Sequence, residues 1–246
     1  MNGLFITGTD TGVGKTHVAA ALARLLRRQG RNVCVFKPAA TGAARVEGRW
    51  LAPDTVQLAW AAGMSQCLER VTPWAFSEPV APAVAARLHG KPLSIAAMVR
   101  AAPAPGPEGV LLVEGVGGLL CPLTEQETVA DLARALGLPL VIVARRSLGT
   151  LNHTLLTLEA AASRGLPVAG VVVNETNRPD TLAEETNVEE LRRRSVPLLA
   201  VNAYRPEGEV DDGAALAGVD WWALARRGDR PVSSEEHPGP CKQRRR

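Results

Sequence analysis

Six short apolar runs recur along the chain: "GLFIT" (3–7), "NVCVFK" (32–37), "GVLLVEG" (109–115), "LPLVIVA" (138–144), "VAGVVVN" (168–174) and "VPLLAVN" (196–202). They are rich in Val, Leu and Ile and lack polar alternation, the pattern of strands covered on both faces. Between the first two, Val18, Leu22, Leu25 and Leu26 share one face of a helical period, arginines occupy the other, and Gln29-Gly30 ends the run. Further helices are expected at 54–62, 128–136, 151–164, 181–194 and 213–226. Strands alternating with helices predict an α/β fold, a single-domain, doubly wound, mainly parallel sheet flanked by helices. The stretch "AAPAPGPEG" (101–109) reads as a surface connection between two halves of that one sheet.

Composition narrows the picture only slightly. With 246 residues, 46% hydrophobic and 22% charged, the chain is long enough for one large domain and too apolar for disorder. The domain is expected to span 1–227. The segment 228–246, "GDRPVSSEEHPGPCKQRRR" from Gly228, has no apolar periodicity and is expected to be a disordered tail. The net charge is +3, part of it in the terminal arginines, so the body gives no basis for a nucleic-acid partner. Cys34, Cys67, Cys121 and Cys241 form no CxxC pair, and are expected to be free thiols in a reducing cytoplasm. The strongest apolar run stops at Arg145, too short for a membrane span, so no membrane association is expected.

The chemistry gathers at the carboxyl ends of the expected strands, where open α/β sheets bind ligands. The first strand runs into "GTDTGVGKTHVAA", from Gly8 to Ala20. Its glycines permit close approach of backbone to an anion, and the helix that follows directs its first amides and positive dipole end at it. Lys15 would reach the outer phosphates of a nucleotide and Thr16 would ligate Mg²⁺, which marks a fold of the P-loop NTPase type. The usual spacing wants its first glycine where Thr9 stands, and Gly8 falls one place early. The second strand ends in Lys37, costly when buried unless an anion accompanies it; snorkelling to solvent is the alternative. The third ends in Glu114, a position from which such sheets hold Mg²⁺ directly or through water; a solvated strand end is the alternative. Asp54 reads either as a helix N-cap with Gln57 as its capping-box partner or as a ligand. Taken together, a phosphate loop, a second lysine and two acids on one sheet edge make an ATP and Mg²⁺ site with a cation to spare, suited to phosphoryl transfer onto a small anion.

"GTDTGVGKT", "KPAATG", Asp54, "EPVAPAVAA", "VEGVGG", "SLGTLNHTLLT" and "GVVVNE" stand in the order and spacing of the dethiobiotin synthetases, and the resemblance runs from about residue 3 to about 205. It implies ATP-dependent ring closure of 7,8-diaminononanoate (7,8-diaminopelargonate) with CO₂, through a carbamate and a carbamic-phosphoric anhydride, in biotin synthesis. It implies catalytic roles for Lys37 and Lys15, a Mg²⁺ set of Thr16, Asp54 and Glu114, and Thr41 beside the carbamate. The ATP contacts it implies are Thr11, Gly12, Val13, Gly14, Lys15, Thr16, His17, Asp54, Glu114, Gly115, Gly117, Asn174 and Glu175, with Asn174 facing the base. It further implies a homodimer in which Gly149, Thr150 and Asn152 hold the substrate carboxylate of the neighbouring subunit. The segment Ala200-Val201-Asn202-Ala203-Tyr204 departs from the Gly-Glu-apolar-Pro pattern common in the family. The rival reading is a nucleotide switch of the partitioning type. Such proteins carry a signature lysine where Asp10 stands here. An amidotransferase acting on corrinoid acids would need a further glutaminase domain.

Overall fold

The computed structural model describes residues 1–46, 48–206 and 209–226. Strand β1 (Gly3–Gly8) leads into helix α1 (Lys15–Arg28) and strand β2 (Val33–Phe36). An insertion follows: β3 (Ala39–Ala40), β4 (Ala44–Val46), β5 (Arg49–Leu51), α2 (Pro53–Ala62), α3 (Leu68–Val71), β6 (Trp74–Ala75), α4 (Pro82–Leu88) and α5 (Ile95–Ala101). The chain then alternates through β7 (Val110–Glu114), α6 (Val129–Leu136), β8 (Leu140–Arg145), α7 (Thr150–Ser163), β9 (Val168–Asn174), α8 (Leu182–Arg193) and β10 (Leu198–Asn202), and closes with a 3₁₀ turn (Ala214–Leu216) and α9 (Trp221–Arg226). The six strands expected from the apolar runs form one parallel sheet in the order β10-β9-β8-β1-β7-β2.

Both faces of this sheet are covered, which is why its strands carry no polar alternation. On one face Leu4, Ile6, Val35, Leu112, Val141 and Val143 pack with Val18, Leu22 and Leu26 of α1 and with Trp221. On the other, Phe5, Phe36, Leu111, Val113 and Ile142 pack with Met98 of α5 and Leu132 of α6. Each such side chain taken fully out of water contributes about 1.5–3 kcal/mol. β1 lies at the centre. From it the chain passes outward to β2, fills β7 between them, and crosses to β8 on the other flank, so a crevice opens beyond the ends of β7, β1 and β8.

Two departures from the sequence pattern have physical causes. The helix expected over 213–226 is broken into the 3₁₀ turn and α9. Gly213 takes a left-handed φ of 77° and packs against the Ala21 carbonyl, the Trp221 indole donates to the Leu216 carbonyl, and Asp220 accepts from the Ala223 amide to start α9 afresh. The insertion between β2 and β7 also holds more structure than the single helix expected there. The tail expected over 228–246, with Cys241, lies outside the described residues.

Candidate active site

β1 is buried along its whole length and ends at Gly8. A Cβ at Gly8 would stand 2.8 Å from Val13 Cγ2 and 2.9 Å from the Asp10 carbonyl, so the early glycine is required by the loop folding back upon itself. Val13 is fully buried and anchors the loop tip. Gly12 (φ 73°) and Gly14 (φ 90°) adopt left-handed backbone, which aims the start of α1 at the crevice. Gly14 is the N-cap of α1 and supplies no side chain, and the first turn holds no acid, so the leading amides keep their capacity for an anion. Lys15 is buried, and its Nζ donates to the Asp10 carbonyl at 2.9 Å. Burial pushes its pKa down, Glu114 opposes this, and the nearby Lys37 lowers it again.

Lys37 follows β2 and is only 4% exposed. Its ammonium donates to Glu114 Oε1 at 2.8 Å and to Asp54 Oδ2. Burial alone would lower its pKa, but Glu114 and Asp54 outweigh it and leave the pKa raised. Asp54 sits in the first turn of α2, whose N-cap is Ala52, so it is not the cap, and its carboxylate faces Lys37. Thr16 donates to Glu114 Oε1 at 2.8 Å, while Glu114 Oε2 is buried without a hydrogen-bond partner. Thr41 is held by the small β3/β6 pairing, in which Phe76 N donates to the Ala40 carbonyl at 2.9 Å.

These residues line one cleft of about 370 Å³, formed by Thr11, Gly12, Gly14, Lys15, Thr16, His17, Lys37, Thr41, Asp54, Glu114 and Gly117, together with Gln57 and Val116. Val116 lies on the loop leaving β7 and Gln57 one turn along α2 from Asp54, a helical spacing that would have found it as a ligand-facing position. Gly115 lies beside the cleft's lining, and a Cβ there would meet Val129 Cγ1 at 2.8 Å. Gly117 has φ 64°, and a Cβ added there would meet Cys121 Sγ at 2.9 Å. Asn174 ends β9 beneath the loop, where its Nδ2 donates to the Val13 carbonyl at 3.2 Å. Glu175 pairs with Arg146 and accepts from the Tyr204 amide at 3.0 Å. Gly149, Thr150 and Asn152 open α7 and do not line this cleft.

A phosphate loop on the central strand of a parallel sheet, with two lysines converging on its mouth, defines a nucleotide-dependent enzyme of the P-loop class. A family model described as an AAA domain matches residues 2–206. The ATP-dependent dethiobiotin synthetase BioD of Anaeromyxobacter dehalogenans (strain 2CP-C) is 49% identical over 194 residues, covering 78% of this chain and 85% of that one. The proteins of the same name from Aromatoleum aromaticum and Bacillus subtilis (strain 168) are 44% and 40% identical, covering 80% and 82% of this chain and 88% and 87% of theirs. The chain belongs to the dethiobiotin synthetase family. The MinC:MinD cell division protein complex of Aquifex aeolicus superposes with a TM-score of 0.50 at 15% identity, over 92% of this chain and 95% of that one, which shows a shared fold and no more.

Proposed function

We infer that this enzyme closes the ureido ring of dethiobiotin from 7,8-diaminononanoate, CO₂ and ATP. The observation that carries the reading is Lys37, a buried ammonium held between Glu114 and Asp54 in the same cleft as Lys15 and the open N-terminus of α1. CO₂ adds to one amine to give a carbamate. A carbamate oxygen attacks the terminal phosphorus of ATP, and the bond to ADP breaks. The second amine attacks the carbamoyl carbon and expels phosphate, closing the ring and releasing a proton. Charge builds on the transferring group between two fixed cations, where preorganised charge is worth most. In this reading Lys37 holds the carbamate and the transferring oxygens, Lys15 the outer phosphates, and Thr41 stands beside the carbamate. The loop from Thr11 to His17, with Gly115, Gly117, Asn174 and Glu175, holds the rest of the nucleotide.

Mg²⁺ belongs to the same proposal. Thr16, Asp54 and Glu114 offer the hard oxygen donors this ion prefers, and the unpartnered Glu114 Oε2 is an acceptor already desolvated and in need of a cation. When bound, the ion would neutralise charge on the phosphate oxygens. A homodimer is proposed from α7, which buries Thr150, Thr154 and Thr157 while Leu148 is 84% and Leu156 55% exposed. A second copy covering that face would bring Gly149, Thr150 and Asn152 to the neighbouring site. Among the described residues no helix is long and apolar enough to cross a membrane, and Cys34, Cys67 and Cys121 are unpaired, as suits the cytoplasm proposed for the enzyme. The test is phosphate release and dethiobiotin formation, the latter by mass spectrometry, with ATP, Mg²⁺, bicarbonate and the diamine. Hydrolysis indifferent to the diamine would favour the switch reading.

A further inference from the structure

Asp211 lies in the irregular segment after β10, yet its carboxylate is wholly buried and reaches the start of α1. His17 Nε2 stands 2.9 Å from its Oδ2, the Gly213 amide donates to its Oδ1 at 2.8 Å, and Arg24 Nε donates to its carbonyl at 2.6 Å. The Asn202 side chain stands near it as well and helps keep it charged. Asn202 Nδ2 also donates to Asn174 Oδ1 at 2.9 Å, and Asn174 Nδ2 donates to the Val13 carbonyl at 3.2 Å. One buried chain of polar groups therefore joins the end of the sheet to the phosphate loop. It touches α1 through His17, a residue that lines the cleft.

The direction of this chain is not arbitrary. A side-chain amide can be turned over, exchanging its oxygen and nitrogen. Here both ends are acceptors that cannot donate: the Val13 carbonyl at one end and the Asp211 carboxylate at the other. Burial pushes the Asp211 pKa up, but His17, Gly213 and Asn202 pull it well below the ordinary carboxylate range, so it stays ionised and acceptor-only. Turning either asparagine would set oxygen against oxygen at a buried contact. Asn202 and Asn174 are 1% and 3% exposed, so water offers no substitute.

We propose that Asp211 is a positioning residue for the nucleotide: it fixes His17 beside the phosphate loop and, through Asn202, locks the Asn174 amide so that one N–H and one oxygen lone pair remain in a set order for the base. This rests on the reading of the cleft as an ATP site. Adenine shows one donor and one acceptor on the edge carrying its amino group, which complements a locked amide, whereas guanine shows two acceptors there. The lock thus discriminates ATP from GTP through residues that need not touch the base.

The test compares the parent with Asp211→Asn and Asn202→Leu, measuring kcat and KM for ATP and for GTP at saturating diamine and bicarbonate, with ADP and GDP binding by calorimetry. Both variants are expected to lower the ATP-to-GTP ratio of kcat/KM by about tenfold, within the range of one paired base edge. The loss should appear in the KM for ATP, with kcat and the KM for the diamine nearly unchanged. An unchanged ratio in either folded variant overturns the proposal, as does a parent that uses GTP as well as ATP. Should Asp211→Asn fail to fold, the Asn202→Leu ratio decides alone. The two readings fail separately: a parent that prefers ADP to GDP but ignores the diamine sinks the synthetase assignment and leaves the lock standing.

Discussion

Replacing Lys37 by Gln is the sharpest test of the site, because it perturbs chemistry and stability by separable amounts. The ammonium lies 2.8 Å from Glu114 Oε1, with both groups nearly fully buried. At an effective dielectric of ~20 that attraction is about 6 kcal/mol, and desolvation of the two ions offsets much of it. Removing one partner alone leaves the carboxylate uncompensated, which costs about 3–5 kcal/mol in buried pairs. Lys15 also acts on Glu114, so the lower end is expected here. Pairing the change with Glu114→Gln should restore most of that stability. Lys37 has a raised pKa when folded, so its contribution is fully present below the ordinary value of 10.5 and lost only as pH rises through the higher folded value. The gap in melting temperature between parent and variant should therefore be flat through neutral pH and close only in strong alkali. Catalysis should fall on the order of 10²–10³-fold in kcat, as for loss of one preorganised donor. The assays are diamine-dependent phosphate release, ADP binding and thermal melts. Turnover within about threefold of the parent, in a folded variant that binds ADP, would remove Lys37 from the chemistry.

Three further outcomes follow from local structure. Gly14→Ala must hold a φ of 90° and drives a Cβ into Asn174 Nδ2, so it should cost about 1–3 kcal/mol in denaturant melts and abolish ADP binding by calorimetry. Leu155→Asp with Leu156→Asp, on the outer face of α7, should yield a monomer by light scattering, with little loss of melting temperature at high dilution and loss of diamine turnover. Glu184→Gln should destabilise at neutral pH. The Asp180 amide, the Thr181 hydroxyl and Asn177 hold the Glu184 pKa at about 2, below its ordinary 4.5, so its contribution is present above that ordinary value and lost as pH falls toward the folded one. The difference between the melts of parent and variant should shrink on acidification.

Much of this could be read before the fold was known. Buried parallel strands have to be apolar on both faces, so the six runs announce themselves, and a glycine loop between strand and helix has few other uses. The partner of Lys37 was harder. In the sequence Asp54 also reads as a helix cap, and only the approach of α2 to β2 turns its carboxylate to the ammonium. The short helices and strand pairs of the insertion are too brief for periodicity to register. Asp211 was invisible for a different reason. Its surroundings in sequence are irregular, and its donors His17 and Arg24 lie almost the whole chain away. Distance in sequence, not weakness of interaction, hid it.

Helix α7 shows where a single chain ceases to explain itself. Its period places it correctly, with Leu151 and Leu158 packed on the core, yet the structure turns Thr150, Thr154 and Thr157 inward beside them and leaves other leucines outside. Thr150 and Thr154 bury hydroxyls with no hydrogen-bond partner, while Leu148, Leu155 and Leu156 stay in water, each forgoing part of the roughly 1.5–3 kcal/mol that burial would return. A lone chain gains nothing from that arrangement. Two copies related by a twofold axis would cover the same leucines on both partners at once, because such an interface is self-complementary. The start of α7, with Gly149 as its N-cap and no acid in its first turn, would then be carried toward a cleft in the other copy. In the proposed dimer, the cost borne by the isolated fold and the carboxylate contact assigned to Gly149, Thr150 and Asn152 would be two sides of one requirement, met when both sites are built together.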